Sequence, residues 1–95
     1  MKFAFIIKGD FDVLKDQASI KNGFAQILGV SNTQEACEVS KKLVLEGVTC
    51  IELCGGFSEN DVREVIEATE NKTPIGFVTH LKDQDELYKL VFGSN

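Results

Sequence analysis

The ten residues from Val48 to Phe57, Val-Thr-Cys-Ile-Glu-Leu-Cys-Gly-Gly-Phe, constrain this chain more than any other stretch. A β-rich apolar run meets a Gly-Gly turn and then Ser58, whose partner three residues on is Asp61, the spacing of a helix N-cap. A strand that turns directly into a capped helix is half of a βαβ unit. It implies an α/β domain with parallel neighbours. It also places Glu52, Cys54, Gly55 and Gly56 toward the C-terminal end of a strand, where open α/β sheets bind ligands.

The rest of the chain supplies compatible elements. Residues 2–8 hold Phe3-Ala4-Phe5-Ile6-Ile7 between two lysines, too short a run for a helix and read as a strand buried on both faces. Residues 10–22 are polar with isolated apolar positions, and a connection of that length holds a short helical turn or acts as a functional loop. Phe24 to Val30 reads as a second strand. Asn32 and Glu35 have capping spacing, and Ala36, Val39, Ser40 and Leu43 form one helical stripe ending at Gly47. The central strand spans 48–54. Val62, Val65, Ile66 and Thr69 form the stripe of a second helix, and Pro74 opens a strand running to His80. Asp83 and Glu86 are expected to cap a third helix that turns Leu87, Leu90 and Val91 inward and stops at Gly93.

The order β-β-α-β-α-β-α predicts a single small α/β domain over residues 1–95, with a mainly parallel four-stranded sheet and three helices. Helical crossovers make the last three strands parallel and right-handed. The first strand is expected to be parallel as well, with an antiparallel first hairpin as the alternative.

Composition narrows the function classes. Ninety-five residues leave room for one core. A net charge of −5, with ten scattered Lys and Arg and one adjacent basic pair at Lys41-Lys42, argues against a nucleic-acid partner. The five-residue apolar run at the start is too short for a signal peptide or a membrane span. Three cysteines without a secretory leader point to free thiols in a reducing, cytoplasmic setting.

On a parallel sheet, one edge would collect Lys8, Gly9 and Asp10 from strand one, and Val30, Ser31 and Asn32 from strand two. Strand three would bring Glu52, Cys54, Gly55 and Gly56, and strand four Thr79 and His80. Glu52 lies on the same strand face as Cys50 and Cys54. An ionised carboxylate there must be paired, sit at a pocket mouth or lie on an uncovered face, unless it serves as acid, base or ligand contact. Cys54-Gly55-Gly56 has three readings: a tight turn beside a small thiol, an anion contact at a helix start, or a nucleophile with His80 as base. Zinc is disfavoured, because Cys50 and Cys54 are about 13 Å apart on an extended strand at ~3.3 Å per residue. A looser cluster of His80, Glu52 and Asp10 is the metal alternative, and no metal or cofactor is assigned. Tyr88 and Phe92, at i and i+4, read as packing or a subunit contact.

Two functional readings follow. In the first, Glu52, Cys54 and His80 carry chemistry, and Lys8, Asp10, Gly55, Gly56 and Thr79 bind a small polar or anionic metabolite. In the second, the chain is a homo-oligomeric interaction module without catalytic activity. Whether the protein is an enzyme stays open between them.

The segments KFAFIIKGDF, GFAQILGVSNTQEACEVSKKLVLEGVTCIELCGGF and TPIGFVTH resemble a family of short bacterial proteins classed as a domain of unknown function. The resemblance covers nearly the full chain, with IELCGGF and PIGFVTH its most distinctive parts. It implies a stand-alone bacterial protein and transfers no activity or catalytic residue.

Overall fold

Alternation along β1 (Phe3–Lys8) sets the layering of the molecule. Ala4 and Ile6 are fully buried, whereas Phe3, Phe5 and Ile7 point the other way and Phe5 stays 39% exposed. The computed structural model describes residues 1–93. Its sheet has five strands in the order β2-β3-β1-β4-β5, with β2 spanning Gln17–Ile20, β3 Ala25–Val30, β4 Cys50–Cys54 and β5 Ile75–Phe77. β1 is parallel to both β3 and β4, β4 is parallel to β5, and β2 alone runs antiparallel, along β3. The α/β class, the three helices and the parallel placement of the first strand agree with the sequence reading.

The expected four strands become five because residues 17–20 form an edge strand. All four of its residues are exposed, and the alternation Gln-Ala-Ser-Ile is too short and too weakly apolar to announce a strand by periodicity. What announces it is the turn after it, where Lys21, Asn22 and Gly23 all take positive φ and Asn-Gly marks the hairpin. The fourth expected strand is short, ending at Phe77 rather than His80.

Two helices pave one side of the sheet. In α1 (Thr33–Leu45) the Asn32 side chain accepts from the Glu35 amide, and Glu35 reaches back to the amide and hydroxyl of Ser31. In α2 (Glu59–Ala68) Ser58 and Asp61 form a complete capping box. Ala36 and Leu43 from α1 and Val62 and Val65 from α2 bury Ala4, Ile6, Leu28, Val30, Ile51 and Leu53 of the sheet. Ser40 is fully buried in the same layer and its hydroxyl has no hydrogen-bond partner among the described residues.

Among the described residues the opposite sheet face has no helix on it, which corrects the expectation that β1 is buried on both sides. A uniform apolar run cannot distinguish one covered face from two. The bare face carries Phe3, Phe5, Ile7, Ala18, Ile20, Ala25, Ile27, Cys50, Glu52 and Cys54 by strand register. The ring of Phe11 folds over one end, where Gly9 and Gly29 leave room for it: a Cβ on Gly29 would lie 2.8 Å from Phe11 Cβ.

The third helix, α3 (Asp85–Phe92), departs furthest from expectation. Its N-cap is Gln84, without a side-chain cap, after a 3-10 turn at 82–84, so Asp83 does not cap it. None of its residues is buried. Leu87, Leu90 and Val91, expected to point inward, are 56%, 80% and 74% exposed. The helix packs within its own chain on the 82–84 turn and His80 rather than on the core.

Candidate functional site

The C-terminal ends of the parallel strands do share one edge, and the pleat divides the candidate residues among three places along it. Lys8 ends β1 on the helix-covered side. Its ammonium donates to Asp61 Oδ2 at 3.0 Å and to Thr33 Oγ1 at 3.0 Å, and lies 5.0 Å from the centroid of the Phe57 ring. Two helix starts thus converge on one lysine, since Thr33 opens α1 and Asp61 sits in the first turn of α2. Gly55 and Gly56 wrap against this strand with φ of +69° and +75°, values an L side chain rarely adopts. A Cβ on Gly56 would also press to 3.0 Å from the Lys8 carbonyl oxygen.

This corner is self-satisfied. The Ser58 amide donates to Asp61 Oδ2 at 2.9 Å, and the Ser58 hydroxyl accepts from the Asp61 amide at 3.2 Å. The Ser58 amide, with help from Lys8 and Thr33, outweighs partial burial and holds the Asp61 carboxyl down from an ordinary 3.8 to about 2. The protein's own carboxylate therefore takes the place that a bound anion would have beside Lys8. Sequence analysis assigned Asp61 to capping alone. Its pairing with Lys8, 53 positions away, left no local signal.

Glu52 and Cys54 point to the uncovered face of the sheet, away from the helices. The Glu52 carboxylate lies across Gly76 of the neighbouring strand, where any side chain would collide with it. Cys50 Sγ donates to Glu52 Oε2 at 3.6 Å. Burial, and then the Glu52 charge, push the Cys50 thiol up from its ordinary value, which disfavours the thiolate. Cys37, on α1, is raised likewise by burial and then by Glu64.

His80 belongs to a third group. It follows β5, and its Nε2 lies 2.6 Å from Asp85 Oδ1 while its ring stacks on Tyr88 at 3.8 Å between centroids. Tyr88 stacks in turn on Phe92 at 5.6 Å. Asp85 and Tyr88 both belong to α3, so the imidazole anchors that helix. Val78 pairs with Leu53 through its amide, and Thr79 and Asp10 are exposed at the strand ends. Among the described residues no group of three or more His, Cys, Asp or Glu side chains is placed to hold a metal ion. No helix among them is long and apolar enough to cross a membrane.

Chemically, the arrangement offers a closed ion pair at one corner, a carboxylate with two thiols on an apolar face, and a stacked aromatic ladder on a projecting helix. Comparison with curated proteins and with solved structures returned no match to either. A family model described as a family of unknown function, DUF6506, matches residues 1–93, and the chain belongs to that family.

Proposed function

We propose that the protein works as a homo-oligomeric interaction module whose bare sheet face is covered by a second copy. One observation carries this reading: the face opposite α1 and α2 has no helix on it among the described residues and, Glu52 apart, carries mainly apolar side chains and thiols over β2, β3, β1 and β4. Three gaps of ~4.8 Å make that part of the face about 14 Å wide, a large hydrophobic surface to leave wet in an ordinary monomer. A chain of this size has a small core, and a partner's face extends that core at little cost in sequence.

The alternative, a small polar or anionic ligand at the strand edge, has less support. Lys8 is committed to Asp61 and Thr33, and the first turn of α2 already holds its own carboxylate. His80 is committed to Asp85 and Tyr88.

The test is sedimentation equilibrium across a wide concentration range, on the wild type and on Phe5→Glu and Ile27→Glu. Both side chains project from the bare face, so neither variant disturbs the helix-side core. The expected result is a wild-type dimer or higher closed oligomer and monomeric variants whose circular dichroism is unchanged. A wild-type monomer at every concentration, or variants that associate as tightly as the wild type, would overturn the reading.

A further inference from the structure

A folded helix of eight residues with none of them buried is anomalous in a domain this small. α3 presents Leu87, Leu90 and Val91 at i, i+3 and i+4, the spacing of a single apolar stripe, with Asp85, Glu86 and Lys89 elsewhere on its circumference. Tertiary packing of such a stripe is what normally holds a short helix, since eight residues are too few to be stable alone in water. Within its own chain this helix instead leans on the 82–84 turn and on the ladder from His80 through Tyr88 to Phe92.

We infer that α3 is an exchanged arm: it docks its Leu87-Leu90-Val91 stripe against the bare sheet face of a second copy, which returns its own arm. This rests on the oligomeric reading above and names the element that makes the contact. The chain carries two unpartnered apolar surfaces, one flat and one ridged, and a second copy supplies the complement of both at once. A two-fold axis then repeats the same contact, as closed homodimers require.

Area supports the choice of a second copy. Phe5, Ile20 and Ile27 on the face and Leu87, Leu90 and Val91 on the stripe are each between 39% and 80% exposed. At roughly 150–200 Å² for each side chain, two copies bring on the order of 1,200 Å² of apolar surface together. That reaches the lower end of the range of about 1,200–2,000 Å² that stable interfaces bury. The face alone or the arm alone would fall short.

The chain's own thiols make the geometry testable. Cys50 and Cys54 stand on the bare face, and a disulfide forms only when Cα atoms approach within about 7 Å. Leu90→Cys is therefore treated with oxidised glutathione, which takes up the two electrons and two protons of each thiol pair. Products are resolved without reductant and mapped by mass spectrometry, with sedimentation of the untreated wild type alongside. The expected result is a dimer-mass species joined between position 90 of one chain and Cys50 or Cys54 of the other. It should be lost when Cys50→Ser and Cys54→Ser are added. A bond from position 90 to the same chain's sheet would mean that the arm folds back on its own face, and would overturn exchange. So would a bond between the two copies of position 90, or no bond above the wild-type level. If these occur while the wild type still sediments as a dimer, the arm fails and the oligomeric reading stands. A monomeric wild type sinks both.

Discussion

Replacing Asp61 by asparagine removes one negative charge and leaves a side chain of nearly the same shape beside Ser58, Lys8 and Thr33. The carboxyl is held at about 2 in the folded protein, against an ordinary 3.8. At about 1.36 kcal/mol per unit, that difference contributes about 2 kcal/mol to stability at neutral pH. The side chain is 20% exposed, so little of it is lost to solvent screening. Because the folded value is the lower one, the contribution is complete above the unfolded value and disappears as pH falls toward the folded one. Asp61→Asn should therefore lose about 2 kcal/mol at pH 7, a fall in Tm of roughly 8–16 °C for a domain of this length. The gap to the wild type should stay constant down to about pH 5 and close toward pH 2. Asp61→Ala also leaves the Ser58 amide without its acceptor, and should cost about 1 kcal/mol more. Urea titrations at a series of pH values measure all three proteins. A gap below about 0.5 kcal/mol at pH 7, the usual scatter of surface substitutions, would refute the argument. So would a gap that does not narrow in acid.

Two further substitutions probe the packing. Ser40→Ala removes a fully buried hydroxyl that has no partner among the described residues, and should raise stability by about 1 kcal/mol in urea denaturation; destabilisation would show that the hydroxyl is satisfied. Gly29→Ala places a methyl group 2.8 Å from Phe11 Cβ and should cost about 1–3 kcal/mol, with amide shift changes over residues 9–16. In a Phe11→Ala background the same change should cost far less, and equal costs in both backgrounds would place the clash elsewhere.

Features written in neighbouring residues are legible in the sequence itself. Asn32 with Glu35 and Ser58 with Asp61 mark both helix starts because capping is a contact over three positions. The parallel pairing of β4 and β5 followed from a helix of crossover length between them. What escaped the sequence depends on distant partners. The Lys8–Asp61 contact joins residues 53 apart, and the orientation of Glu52 depended on whether helices cover one side of the sheet or both. The stripe on α3 was identified with the right residues and assigned the wrong environment. Amphipathic spacing shows that a face needs a partner, but not that the partner lies in the same chain.

The position of β1 bears on how the chain is made. β1 precedes the other strands in chain order yet ends up in the middle of the sheet, and its second neighbour, Cys50–Cys54, follows only after β2, β3 and α1. Until then the segment Phe3-Ala4-Phe5-Ile6-Ile7 has at least one free edge, as an aggregation-prone stretch in a growing polypeptide would. Lys2 and Lys8 bracket it in the manner of gatekeepers. Lys8 goes on to meet Asp61 once α2 is complete, so one lysine guards the nascent strand and later closes the corner of the finished sheet.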